Sequence, residues 1–221
     1  MAVHAIVVAA GAGRRFGNKK QFVHVHGRPL FAYATGVLNR HEKVKTITLV
    51  VPKRDVRRTG KIARDLGLSK VRHVVEGGKR RQDSVTRGLR TIRRKSGIVI
   101  IHDAVRPLIT GAMITRGIAM CRKYKAVILG VRVHDTVKKI AGSRVQETVS
   151  RKDLFLVQTP QFYDLETIKR AMADADFSVE YTDEAALLES IGMPVHICKG
   201  DRHNIKVTDR RDLKYVGKFL T

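Results

Sequence analysis

Residues 6–20 run Ile-Val-Val-Ala-Ala-Gly-Ala-Gly-Arg-Arg-Phe-Gly-Asn-Lys-Lys, an apolar strand leading straight into a small, glycine-rich, cationic loop. An α/β fold presents backbone N–H groups to phosphate in this way. Ala9, Ala10, Gly11, Ala12 and Gly13 carry no side chain large enough to hold a ligand away, and Arg14, Arg15, Lys19 and Lys20 supply charge within reach. The spacing matches no Walker loop, because no Gly-Lys-Ser/Thr follows. It also misses the dinucleotide pattern G-x-G-x-x-G, because Phe16 stands where the third glycine belongs. The segment reads either as a loop for a nucleoside triphosphate or as an ordinary strand-to-helix turn.

Three further segments carry chemistry-bearing residues. His102-Asp103-Ala104-Val105-Arg106-Pro107 follows the apolar run Ile98–Ile101, which puts Asp103 at the carboxyl end of a strand. A carboxylate there can hold Mg²⁺ against phosphate oxygens, cap the next turn, or pair with Arg106. Glu76-Gly77-Gly78-Lys79-Arg80-Arg81-Gln82-Asp83-Ser84 offers a second place for close backbone approach. There Asp83 or Ser84 caps a helix, Ser84 stands within reach of a pyrimidine ring, and Arg81 either holds the loop or touches phosphate. Asn204-Ile205-Lys206-Val207-Thr208 reads as an apolar strand with one lysine, which points at a triphosphate or guards an edge. No histidine is assigned a chemical role, and His102 is expected to pack or orient its loop.

The positioning elements follow from periodicity. Apolar, β-branched runs at 3–8, 46–51, 71–75, 98–101 and 126–131 alternate with helix-period stretches near 30–40, 54–66, 82–95 and 112–123, and after residues 204–208 a helix starts near Asp209. Such alternation predicts a doubly wound, mostly parallel α/β sheet with helices on both faces, in which ligands sit beyond the carboxyl ends of the strands. The loops after Val8, Val75, Ile101 and Val131 are then expected to share one cleft. After Val133 the pattern breaks: 136–140 and 144–149 flank Ala141-Gly142-Ser143, a hairpin with a three-residue turn. An arm over 134–150 has two unpaired edges and is expected either to clasp a second subunit or to fold back on its own domain.

The 221 residues contain no low-complexity linker and are read as one domain. No apolar run reaches the ~20 residues needed to cross a bilayer. The strand beginning by Val3 leaves no expected room for a signal or transit peptide, and Cys121 and Cys198 lack metal-ligand spacing, so both read as core thiols of a cytoplasmic protein. Lys+Arg outnumber Asp+Glu 44 to 20, a net charge of +24 that draws polyanions. Much of this charge is a coat: Val85, Leu89 and Ile92 recur at helical spacing while Arg87, Arg90 and Arg94 fall elsewhere round the turn. With aromatics at 5% and no zinc-finger or ribonucleoprotein motif, nucleic acid is expected to bind at most nonspecifically.

Taken together the loops resemble those of the 2-C-methyl-D-erythritol 4-phosphate cytidylyltransferase family. The resemblance covers nearly the whole chain: Ala9-Ala10-Gly11 through Lys20-Gln21, Gly77-Gly78 with Arg81 and Asp83-Ser84, His102-Asp103-Ala104 with Arg106-Pro107, Asp135-Thr136, Arg151, Thr159-Pro160-Gln161, Thr182-Asp183-Glu184-Ala185, and Asn204 to Thr208. It implies transfer of CMP from CTP to methylerythritol phosphate with release of pyrophosphate, in the non-mevalonate route to isoprenoids, with Mg²⁺ required. It further implies that Arg15, Lys20 and Lys206 surround the CTP phosphates and that Asp103 binds metal. Ala9, Ala10, Gly11, Gly13, Gly78, Arg81 and Ser84 would hold the nucleotide. Asp103, Arg106, Thr136, Arg151 and Thr159 would meet the sugar phosphate, Arg151 coming from the neighbouring subunit of a homodimer. Lysine stands at position 19 where the family commonly has proline, and the stretch from Arg15 to Lys20 is short. A cytidylyltransferase for ribitol 5-phosphate shares the same loops, and a nonenzymatic basic RNA-binding protein on the same fold is the more distant alternative.

Overall fold

The computed structural model describes residues 1–11, 13, 16 and 19–220. Its centre is a sheet of seven strands. In chain order the elements are β1 (Val3–Val8), β2 (His24–Val25), β3 (Arg28–Pro29), α1 (Leu30–Arg40), β4 (Val44–Val51), α2 (Val56–Asp65), β5 (Val71–Glu76), α3 (Arg81–Arg90) and β6 (Ile98–Asp103). They continue with α4 (Gly111–Tyr124), β7 (Ala126–Arg132), β8 (Val137–Ala141), β9 (Arg144–Val149), β10 (Phe155–Asp164), α5 (Leu165–Asp174), α6 (Glu184–Ser190), β11 (His196–Lys199) and α7 (Arg210–Gly217).

The sheet order is β11-β7-β10-β6-β1-β4-β5, with β10 antiparallel to both its neighbours and the other pairings parallel. β1 and β6 are buried on both faces, which is why they read as unbroken apolar runs rather than alternating ones. Val3, Ala5 and Val7 of β1 face one core layer with Phe31, Leu38 and Ile114; Ile6 faces the other with Val85, Leu89, Tyr163 and Ile168. The pairing of β10 with β7 skips between Gln158 and Gln161. Pro160 lies in that skip, where its missing N–H breaks no rung of the ladder.

Three expectations about elements change. The helix expected over 82–95 ends at Arg90, because the Thr91 hydroxyl turns back onto the Gly88 carbonyl at 2.7 Å and meets Thr48 at 2.8 Å. The hairpin turn has two residues rather than three: Ala141 pairs with Arg144, and Gly142 takes φ +57°, the left-handed backbone a tight hairpin requires. The extra residue is Gln146 on β9, where the register steps from Lys139–Glu147 to Ile140–Val145. Residues 204–208 form no strand; Val207 alone makes a rung, to the Val105 carbonyl at 2.9 Å.

Candidate functional site

Three loops leave the carboxyl ends of neighbouring strands and are aligned by backbone bonds that extend the sheet by one step. Ala9 donates to Val50 O (2.7 Å), Gly77 to Val51 O (2.8 Å) and Ala104 to Val8 O (3.0 Å). Beyond them opens a cavity of about 480 Å³ whose walls include Ala9, Ala10, Gly11, Gly13, Lys20, Gly78, Arg81, Ser84, Asp103 and Lys206. The expected grouping therefore holds for the loops after Val8, Val75 and Ile101. The loop after Val131 lines a neighbouring cavity of about 380 Å³ with Arg106, His134, Asp135 and Lys206. Lys206 belongs to both walls. Arg15 and Arg14 lie outside the described residues.

The glycine-rich loop keeps its shape through Gln21, a residue whose part sequence reasoning missed. From the single turn Lys20–Phe22 its side-chain amide reaches back to Ala9 O at 2.7 Å and Gly11 O at 3.0 Å. Two carbonyls thereby turn inward, leaving the small residues to line the cavity. Gly13 has φ +68°, in the region where glycine is at ease. Opposite, the Ser84 hydroxyl accepts from Gly78 N at 3.0 Å and donates to Arg80 O at 3.2 Å, so it shapes the second glycine turn from the wall of the site. Helix α3 is capped by Asp83, which accepts from Arg80 N at 3.0 Å. Gly77 admits no side chain: a Cβ there would lie 2.3 Å from that of Ala10.

At the floor stands a chain of charge. Arg81 Nε donates to Asp103 Oδ1 at 3.1 Å and its Nη1 grips both oxygens of Glu184 at 2.7 and 2.8 Å, while Lys206 Nζ donates to Asp103 Oδ2 at 2.7 Å. Asp103 is buried, which by itself raises its pKa, yet the two cations outweigh the burial and hold it well below the usual carboxylate range. Arg81 stays protonated for the reciprocal reason: burial opposes its charge, and Glu184 and Asp103 outweigh that. Its Nη2 is buried with no partner among the described residues. Glu184, at the head of α6, lies 103 residues from Arg81 and nothing local in the sequence announces the pairing.

His102 and Thr159 support this floor from beneath. Asp103 N donates to the Thr159 hydroxyl at 3.0 Å, that hydroxyl meets His102 Nδ1 at 3.1 Å, and His102 Nε2 meets Arg106 O at 3.1 Å. One assignment satisfies all three contacts: Thr159 O–H donates to Nδ1 and Nε2–H donates to the carbonyl. Burial pushes the imidazole down to about 4, so it is neutral and serves as a strut between the Thr159 hydroxyl and the Arg106 carbonyl. The Thr159 hydroxyl is spent twice on the loop. Thr159 itself lines neither cavity.

Of the remaining sugar-phosphate residues, Arg106 lines the neighbouring cavity and donates to Asn204 O at 2.8 Å and Val157 O at 3.4 Å. Asn204 in turn donates to Thr159 O at 2.9 Å, which fixes the segment that carries Lys206. Thr136 and Arg151 are exposed at the root of the arm, Arg151 donating to His134 O, and neither lines either cavity of its own chain.

The family model described as 2-C-methyl-D-erythritol 4-phosphate cytidylyltransferase matches residues 3–221. The enzyme of that name from Halalkalibacterium halodurans is 34% identical over 223 residues, covering 100% of this chain and 97% of its own. That from Alkaliphilus metalliredigens is 39% identical over 216 residues, covering 96% and 90%. Among solved structures, the Francisella tularensis enzyme superposes with a TM-score of 0.84 at 26% identity and covers 100% of both chains. The 4-diphosphocytidyl-2C-methyl-D-erythritol synthase of Anaerococcus prevotii gives 0.84 at 28%, covering 99% and 97%.

Proposed function

This chain belongs to the 2-C-methyl-D-erythritol 4-phosphate cytidylyltransferase family and transfers CMP from CTP to methylerythritol phosphate in the non-mevalonate pathway; on that premise we propose which of its residues do what. The observation that carries the assignment is Lys206, which walls both cavities. CTP occupies the cavity at the glycine-rich loop and the sugar phosphate the one beside Arg106, so the two anions meet at one ammonium.

Bringing a phosphate nucleophile to an α-phosphate is a problem of like charge. The attacking oxygen is already ionised, so the protein supplies alignment and cations in place of a general base. Ala9, Ala10, Gly11 and Gly13 let main-chain groups approach the triphosphate, with Lys20 on the same wall. Arg81, whose Nη2 has no partner among the described residues, stands on the same wall. Lys206 spans donor and acceptor. Arg15 takes the family's role at the phosphates.

Mg²⁺ is the cofactor we assign, with Asp103 as its one protein carboxylate. Among the described residues no cluster of three His, Cys, Asp or Glu side chains forms a metal cage. A single buried carboxylate held ionised on the cavity wall fits a hard cation whose other ligands are phosphate oxygens and water. When bound, the ion neutralises charge on the transferred phosphate and on departing pyrophosphate.

We further assign a homodimer in which the arm of one copy brings Arg151 and Thr136 to the sugar-phosphate cavity of the other. Ile140 and Val145 pair across β8 and β9 and are 61% and 53% exposed, an apolar face with no cover among the described residues. No helix among the described residues is long and apolar enough to cross a membrane, and Cys121, whose thiol burial pushes up to about 12, is unreactive; we assign the cytoplasm as the place of action. Incubation with CTP, Mg²⁺ and either methylerythritol phosphate or ribitol 5-phosphate, with pyrophosphate measured, tests the whole reading. Release with the first acceptor and little with the second supports it; the reverse reassigns the acceptor, and no release with either sinks it.

A further inference from the structure

We propose that the entrance to α2, through Asp55 and Arg58, positions Lys20 from outside the nucleotide cavity; this rests on the reading that Lys20 meets the CTP phosphates. Neither residue lines that cavity. Both hold the residues on either side of Lys20.

The Asp55 carboxylate takes the Lys19 ammonium, and the two side chains are 12% and 18% exposed. Asp55 occupies the N-cap position of α2, yet its side chain caps nothing there. An acidic side chain in that position ordinarily accepts from the helix's own first amides. Here the carboxylate is turned to another part of the chain, 36 residues away in sequence. It is also the one acid in the run Lys53-Arg54-Asp55-Val56-Arg57-Arg58-Thr59-Gly60-Lys61. A backbone bond from Asp55 N to Pro52 O at 2.8 Å sets it at the end of β4, so its place derives from the sheet.

One turn further along α2, the Arg58 guanidinium lies over the Phe22 ring, 5.6 Å from its centroid. Phe22 is buried edge-on against Phe31 at 5.8 Å. Gln21 is fastened on the inner side to Ala9 and Gly11. Residues 19, 21 and 22 are therefore each tied to a different neighbour, and the turn they define carries Lys20 on the cavity wall. A lysine ammonium rides on a flexible four-carbon stem, so its aim depends on how firmly its backbone is held. Displacement of a reacting group by an ångström costs turnover on the order of 10²-fold even when the ligand still binds.

The test is steady-state turnover with CTP and methylerythritol phosphate, read as kcat and KM separately, beside melting curves. Asp55→Asn is expected to lower kcat about tenfold while the KM for CTP moves less than about threefold. Asp55→Glu keeps most of the turnover. Lys19→Met reproduces Asp55→Asn from the loop side, and serves alone if the aspartate variant is insoluble. The double variant is no worse than either single one, because both remove the same bond. Full turnover in Lys19→Met and Asp55→Asn, additive losses, or a loss confined to the KM for CTP overturns the proposal. Lys20→Ala is the reference: if it collapses kcat while the others are silent, the clamp alone fails, and if it too is silent, the role of Lys20 fails with it.

Discussion

Lys206 Nζ lies 2.7 Å from Asp103 Oδ2, while Arg81 holds the other oxygen of the same carboxylate at 3.1 Å. The lysine is 41% exposed along its side chain and the carboxylate only 10%, so the pair sits at the lip of the floor with its cation toward the ligand space. On the proposed assignment an incoming phosphate would compete with Asp103 for the ammonium. Lys206→Ala is expected to lower kcat by about 10² or more and to weaken CTP binding far less, because a cation at the meeting point of two anions acts mostly in the transition state. Asp103→Asn removes the carboxylate assigned to the metal and is expected to shift the Mg²⁺ titration to higher concentration. An unchanged titration returns Asp103 to a purely structural role.

Glu184 tests the floor as a structure. Its side chain is 2% exposed and accepts two hydrogen bonds from Arg81. Glu184→Gln leaves a buried guanidinium short of one counter-charge, a change that costs about 3 kcal/mol where a buried pair is broken from one side. Urea unfolding at neutral pH measures it. A loss below about 1 kcal/mol would place this pair in the class of exposed bridges.

His102 gives the fold an acid sensitivity of known sign. Desolvation lowers its pKa to about 4 from the ordinary 6.5, against the pull of Asp103. Between those values the unfolded chain binds a proton that the folded chain refuses, so stability rises with pH. The contribution is whole above pH 6.5 and is lost progressively as pH falls toward 4, about 3 kcal/mol over the full span. Chemical denaturation at pH 7 and pH 4.5 compared between the parent and His102→Gln checks this: the variant is expected to lose less stability on acidification. Equal losses would show that other groups carry the acid response.

Gly77 and Gly11 separate folding from ligand space. A methyl on Gly77 would meet Ala10 Cβ at 2.3 Å and Ser84 Oγ at 2.8 Å, driving the two loops apart. Gly77→Ala is expected to cost about 1–3 kcal/mol of stability and to weaken CTP binding as the wall shifts. Gly11 has nothing within 4 Å of such a methyl, so Gly11→Ala should melt like the parent and still bind CTP poorly. Melting curves beside CTP calorimetry distinguish the two, and parental CTP affinity in Gly11→Ala would remove the loop from the nucleotide site.

What could be read from the sequence was what local pattern encodes. The strands ending at Val8, Glu76 and Asp103 announced themselves by apolar runs, and the loops after them carried the small and charged residues that line the cavity. Lys206 reads from the sequence as either a triphosphate cation or an edge guard because the alternation Ile205, Lys206, Val207 imitates a strand; the segment is held by Asn204 and a single rung, neither of which has a periodic signature. Glu184 and Gln21 were visible only as parts of motifs. Their function is a bond to a side chain 103 residues away and to a carbonyl 12 residues back, and such pairings exist only once the sheet has set the distances. Thr159 has a second part that no local pattern shows: its hydroxyl holds Asp103 N and His102 across 56 and 57 residues of sequence.

The arm supplies the prediction with the sharpest arithmetic. Arg151 lines neither cavity of its own chain, and among the described residues nothing covers Ile140 and Val145 on the arm's apolar face. Ile140→Glu is therefore expected to shift sedimentation from dimer toward monomer and to reduce turnover with the acceptor while CTP still binds. If Arg151 crosses to the partner's site, Lys206→Ala and Arg151→Ala chains, each inactive alone, complement on mixing under exchange. Half of the dimers are then mixed and each has one intact site, so activity returns to about one quarter of the parent's. If Arg151 serves its own chain, no site in the mixture is intact and no activity returns.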